Sequence, residues 1–148
     1  MDYIQQPKKI EATSFEIIEK ELGNKALKYD EKTLKIVKRV IHTTADFEYG
    51  DLIKFHPLAV EAAMHVLKKG CRIYADTKMI MAGINRRKLS ELNCEIYNLS
   101  HDKDVFEEAE KRGITRSMVG MEKAFDDDAT QIFVIGNAPT ALFKLKEL

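Results

Sequence analysis

The chain carries no net charge: Lys+Arg and Asp+Glu both number 24 in 148 residues. Without an excess of either sign, the bulk electrostatics point neither to nucleic acid nor to an anionic membrane, and any positive site must be local. Cysteine is nearly absent. Cys71 and Cys94 stand beside apolar residues and form no C-x-x-C pair, which predicts reduced, buried thiols in a cytoplasmic protein rather than a disulfide framework or a metal site. No apolar run approaches the roughly 20 residues of a membrane helix, and Met1 to Ile10 lacks the apolar centre of a signal peptide. His56 and His65 are nine residues apart, a spacing that matches no common metal motif, so no metal is assigned.

A chain of this length is one domain in size and can bury roughly two-thirds of its unfolded surface, so residues 1–148 read as a single domain. Thr13-x-x-Glu16 reads as a capping box, with Phe15, Ile18 and Leu22 as the stripe of a short helix that starts near Ser14 and stops by Gly23. Asp30 caps a second helix with Leu34, Val37 and Ile41 as its stripe, widened by Ile36 and Val40. His56-Pro57 opens a third, with Val60, Ala63, Met64 and Leu67 apolar before Gly70.

From Cys71 the period changes. Cys71–Ala75, Cys94–Leu99 and Gln131–Ile135 are short and β-prone. Helical patterns follow them: Lys78 to Ala82 after Asp76-Thr77, a helix carrying Val105, Phe106 and Ala109 after Asp102, and another from Thr115 to Phe125 with Met118, Met121 and Phe125. Strands alternating with helices predict an α/β fold with a doubly wound parallel sheet in three layers. In such folds ligands lie beyond the carboxyl ends of the strands. There the sequence places Asp76-Thr77-Lys78, Asn98-Leu99-Ser100 and Gly136-Asn137-Ala138-Pro139-Thr140.

Four stretches carry groups suited to chemistry. Lys35, Arg39 and His42 share a helix face that Asp46 joins if the helix continues; such a face is either a reaction centre or simply solvated. Ser14, in a first helical turn, either meets an anionic ligand group or caps the helix. Gly136 to Thr140 combines a glycine, an amide and a proline-initiated helix, the makings of a carboxylate cradle or of an ordinary βα turn. It has neither the G-x-G-x-x-G nor the P-loop pattern, so no nucleotide cofactor is indicated. Thr115-Arg116-Ser117 puts an arginine in a first turn, where it opposes the helix dipole unless an anion or water relieves it.

Together these pieces resemble the precorrin-8X methylmutases of cobalamin biosynthesis. The resemblance rests on Ser14-Phe15, Arg39-x-x-His42, Asp76-x-x-Met79-x-x-x-Gly83-Ile84, Thr115-Arg116-Ser117 and Gly136 to Leu142, in order and in register. It implies a cofactor-independent isomerase that moves a methyl group between adjacent ring-C carbons of a corrinoid tetrapyrrole, cobalt-free or cobalt-containing. It further implies His42 as the catalytic residue, Ser14 and Arg39 as substrate-binding residues, a flavodoxin-like sheet, and a homodimer. Asp76, Thr115, Arg116, Ser117, Gly136, Asn137, Ala138 and Thr140 complete the expected substrate contacts. Family members run on past the Asn-Ala-Pro-Thr segment, so the chain is expected to have fewer strands than the full fold and a third strand with one neighbour. A non-catalytic tetrapyrrole binder and a flavodoxin-like interaction domain are the alternatives.

Overall fold

The structure, a computed structural model, describes residues 5–148. The expectation about a leader, drawn from Met1 to Ile10, lies partly outside the described residues. The chain divides into two compact units, Met1–Val60 and Glu61–Leu148.

The first unit is helical: α1 (Pro7–Leu22), a 3₁₀ helix (Gly23–Lys28), α2 (Glu31–Thr44) and α3 (Tyr49–Leu52). Helix α1 starts seven residues before the expected Ser14. Pro7 supplies a first-turn residue with preset φ, and the Lys-Lys-Ile-Glu-Ala run that follows favours helix, so the Thr13-x-x-Glu16 signature falls in the interior instead of capping. Ser14 is therefore not in a first turn and has no free backbone N–H groups beside it. Asp30 caps α2 as expected, accepting from the N–H of Lys32 at 2.8 Å and of Thr33 at 3.1 Å. The helix ends when Ala45 turns left-handed at φ 57° and its N–H reaches Ile41 O at 2.8 Å. Asp46 thus lies off the helix and does not join the Arg39–His42 face; its Oδ1 accepts from the N–H of Glu48. Val37 and Ile41 are buried as expected, Thr33 is buried with them, Leu34 packs partly buried on the same core, and Ile36 is exposed. Ile18, Leu22, Val37 and Ile41 form the core, flanked by Phe15, Tyr29 and Phe47.

Helix α4 (Ala59–Lys69) opens after a turn in which His56 Nδ1 accepts from the N–H of Leu58, so Pro57 sits in that turn rather than in the helix. Its packed residues are Val66 and Leu67, and Met64 is more exposed than the stripe predicts.

In the second unit, β1 (Arg72–Ala75), β2 (Glu95–Tyr97) and β3 (Thr130–Val134) form one parallel sheet in the order β2-β1-β3. The pleat sends alternate residues to opposite faces. Ile73 pairs with Ile96 and Ile132, and this layer packs with Cys71, Leu89, Cys94, Val66 and Leu67. Tyr74 pairs with Tyr97 and Phe133, and that layer packs against Met121, Ala124 and Ala141 from α8 (Arg116–Phe125) and α9 (Pro139–Glu147). Helices on both faces make three layers, and the strand order matches the start of the flavodoxin-like order. Strand β3 pairs with β1 alone among the described residues.

Between the strands run α5 (Lys78–Gly83), α6 (Arg86–Glu91) and α7 (Lys103–Arg112). The sequence pattern breaks at Gly83, yet Asn85 restarts a helix by accepting from the N–H of Lys88 at 3.0 Å. Phe106 and Phe125, expected in the stripes of α7 and α8, are exposed. Val105, Ala109 and Met121 are buried as expected, and Val119 and Ala124 join Met121 on the buried face of α8 in place of the expected Phe125. No helix among the described residues is long and apolar enough to cross a membrane.

Candidate active site

In the first unit, α1 and α2 bring Ser14 and His42 together across 28 positions of sequence: Ser14 Oγ and His42 Nδ1 share a hydrogen bond of 2.8 Å. His42 Nε2 has no protein partner among the described residues. Both side chains line a cleft of about 520 Å³ whose other walls are mostly apolar, among them Ile17, Ile41 and Phe47. Arg39 lies on another hollow, with Phe15, Lys35 and Val40. Its Nη1 pairs with Glu11 Oε1 at 2.6 Å, and its guanidinium stacks 4.7 Å from the centre of the Phe15 ring. Both partners of that ion pair are about half exposed, so water screens it and a ligand carboxylate can compete for the guanidinium.

The second unit gathers most of the other expected residues at the carboxyl end of its sheet. Strand order reverses at β1, which makes the ends of β1 and β3 the topological switch point. Asp76 follows β1 and Gly136 follows β3. The Asp76 carboxylate accepts from the N–H of Gly136 at 3.0 Å, of Asn137 at 3.0 Å and of Ala138 at 2.8 Å. The cradle anticipated there does hold a carboxylate, but it is the chain's own. Burial, the largest influence on Asp76, pushes its carboxyl up; the three backbone donors outweigh it and leave the group below the ordinary value of 3.8. A Cβ on Gly136 would fall 2.9 Å from the terminal methyl of Ile80, which would have to shift to make room. Asp76 is 4% exposed and acts from behind the loop, positioning it.

Thr115 caps α8 by accepting from the N–H of Met118 and donates to Thr140 Oγ1 at 3.0 Å, which ties the starts of α8 and α9 together. Arg116 donates to Ser100 O at 3.3 Å and lines a second hollow with Phe106 and Ile114. Ser117 is part-buried in the first turn of α8, and Asn137 is exposed. Among the described residues no cluster of three or more His, Cys, Asp or Glu side chains could hold a metal.

The family described as precorrin-8X methylmutase matches residues 9–148, a span that takes in every one of these residues. The chain belongs to the precorrin-8X methylmutase family. The cobalt-precorrin-8 methylmutase of Leptospira interrogans serogroup Icterohaemorrhagiae serovar Lai is 40% identical over 141 residues, 94% of this chain. That of Salmonella typhimurium is 42% identical over 151 residues, covering 99% of this chain and 72% of its own length. The solved precorrin-8X methylmutase of Thermus thermophilus has a TM-score of 0.83 at 34% identity, covering 95% of this chain and 67% of that one. The chain spans 63% of the length of the Leptospira relative.

Two neighbours of the site, Phe15 and Glu11, have contacts there that the sequence pattern does not give. Spacing assigns Phe15 to the buried stripe of α1, where it also lies, but its ring additionally meets His42 edge-on with centroids 5.4 Å apart. Glu11 precedes the helix in the sequence-based reading. Once the helix begins at Pro7, Glu11, Ser14 and Phe15 fall on one face at three- and four-residue spacing, and that face meets Arg39 and His42.

Proposed function

We propose that the chain carries the methyl migration of corrin biosynthesis. In this reading it is an isomerase of the intramolecular-transferase class that moves a methyl group between adjacent ring-C carbons of precorrin-8X, or of its cobalt-containing counterpart, giving hydrogenobyrinate or cobyrinate. The observation that carries the reading is His42, held at Nδ1 by Ser14 at 2.8 Å and with no partner at Nε2 among the described residues, in a chain of the methylmutase family.

Migration around a conjugated ring becomes easier when a ring nitrogen or an adjoining carbon is protonated, and imidazole is suited to lend and recover that proton near neutral pH. Such acid catalysis contributes about 10²–10⁴-fold. Ser14 fits the task because a hydroxyl both donates and accepts. When His42 is the imidazolium, Nδ1–H donates to Ser14 Oγ and Nε2–H faces the substrate. After the proton leaves Nε2, the Nδ1–H bond persists and the Nε2 lone pair is placed to take the proton back. No atom is gained or lost, as an isomerisation requires.

The corrinoid bears acetate and propionate groups that a planar guanidinium grips in two-point fashion. Arg39 and Arg116 are the proposed anchors, with Ser14, Thr115, Ser117, Asn137 and Thr140 as further contacts. Asp76, Gly136 and Ala138 shape the loop that presents them. The apolar walls beside His42 suit the face of a macrocycle. The unbroken family match from residue 9 to 148 supports reading the chain as one methylmutase-like domain. The family resemblance supports a homodimer, and free, buried Cys71 and Cys94 suit the reducing cytoplasm.

Two variants test the assignment. His42→Ala is expected to abolish turnover of precorrin-8X while retaining corrinoid binding, whereas Arg39→Ala should weaken binding by about 10–100-fold, the worth of a charge-assisted hydrogen bond. Near-wild-type turnover in the first, or unchanged affinity in the second, would remove that residue from the mechanism.

A further inference from the structure

We infer that Phe15 is a positioning residue that sets Arg39 and His42 relative to each other, so that substrate anchoring and proton transfer are coupled through one aromatic ring. The inference rests on the proposed methylmutase function and adds to it a residue with no chemistry of its own.

Arg39 and His42 are three residues apart on α2 and share no hydrogen bond or ion pair among the described residues. Each meets Phe15 instead. The His42 imidazole meets the Phe15 ring with centroids 5.4 Å apart and planes at 75°, the edge-to-face arrangement that aromatic quadrupoles favour. The Arg39 guanidinium carbon lies 4.7 Å from the ring centre, within cation–π range, and Lys38 Nζ lies 5.9 Å from it. Phe15 packs, partly buried, against the core of Ile18, Leu22, Val37 and Ile41, which anchors its ring between the two side chains. Its chain neighbour Ser14 holds the other side of the imidazole through Nδ1. The imidazole is thus gripped by two consecutive residues of α1, one polar and one aromatic, and Nε2 is left as its working atom.

Arg39 has a second partner in Glu11, an exposed carboxylate one helical turn before Phe15. A substrate carboxylate that displaces Glu11 would leave the guanidinium still stacked on Phe15. The ring would then hold the arginine plane during the exchange, which a flexible arginine on its own would not do.

The test compares Phe15→Leu, which keeps an apolar side chain and removes the ring, with Phe15→Tyr, which keeps the ring. Steady-state turnover of precorrin-8X, corrinoid affinity and the NMR resonances of the His42 imidazole are measured in the full chain, with melting temperatures to normalise for folded protein. Phe15→Leu is expected to raise KM and lower kcat by about 3–10-fold each and to shift the His42 ring protons through loss of the ring current, while Phe15→Tyr restores all three. A merely structural residue would lower the folded fraction, and with it kcat, but leave KM alone. An unchanged KM in Phe15→Leu, or a Phe15→Tyr variant that folds yet is as impaired as Phe15→Leu, overturns the inference. If the unaltered chain binds corrinoid but turns none over, the functional reading fails by itself. Affinity then decides the role of Phe15: a loss with Phe15→Leu that Phe15→Tyr restores upholds it, and an unchanged affinity in Phe15→Leu overturns it.

Discussion

Asp76 shows how much a single carboxylate organises. Its two oxygens take three backbone N–H groups from a loop 60 residues away, and the bonds hold the group ionised despite burial. The sign of the pH dependence follows. Because the folded carboxyl lies below its unfolded value of about 3.9, its stabilisation is complete above that value and is lost as pH falls through the lower, folded value. Asp76→Asn places an amide NH₂ against at least one N–H donor whichever way it is turned. It should destabilise the protein at pH 7 by roughly 1–3 kcal/mol, the cost of an unmet buried hydrogen bond. Denaturant titrations at pH 7 and pH 3 check this: the gap between variant and parent should narrow at the lower pH. A gap that stays constant or widens would mean that the carboxylate charge is not what holds the loop.

At the scale of elements, the seating of α8 on the sheet depends on a pair that only the folded chain reveals. Tyr74 is fully buried, its hydroxyl has no hydrogen-bond partner among the described residues, and burial pushes its phenol up to about 12. A Cβ on Gly120 would fall 2.5 Å from that hydroxyl but 3.6 Å from the ring carbon that bears it. Gly120→Ala should therefore destabilise by about 1–3 kcal/mol through overpacking. Tyr74→Phe should be near neutral, since it deletes an unsatisfied polar atom. In the double variant most of the alanine cost should disappear, and thermal melts of the four proteins measure the coupling. Additive losses would show that the contact does not limit the packing.

The same elements show what could be read in the chain and what could not. The three strands, their parallel pairing and the Asp30 and Thr115 helix signals are local in origin, set by β-branched and aromatic runs and by capping side chains, and they stand within a residue or two of expectation. The start of α1 was hidden because two helix-start signals compete and Pro7 prevails over Thr13. Helix α6 was hidden because Asn85 restarts what Gly83 stops. The exposed Phe106 and Phe125 depend on which face each helix buries, α7 against α8 and α8 against the sheet, a tertiary choice that neither spacing nor hydrophobicity determines. At the candidate site, His42, Ser14 and Asp76 could be singled out from local chemistry and family resemblance. Their partners could not: the Ser14–His42 bond spans 28 residues and the Asp76 bonds span 60 to 62.

For the whole molecule, family membership extends across residues 9–148, while the chain spans 63% of the length of the Leptospira relative. The proposed homodimer is a statement at this scale. Sedimentation at assay concentration should give about twice the chain mass of 17.0 kDa, and a monomer that turns over substrate would show that pairing is not needed for the chemistry. The central claim is the methyl migration itself, with His42 lending the proton. Its most direct test is to incubate the purified chain and its His42→Ala variant with precorrin-8X and follow the absorbance change to hydrogenobyrinate, recording bound corrinoid in the same samples. The account predicts conversion by the unaltered chain, and binding without conversion by the variant. Binding without conversion by the unaltered chain, or conversion by both, would contradict it.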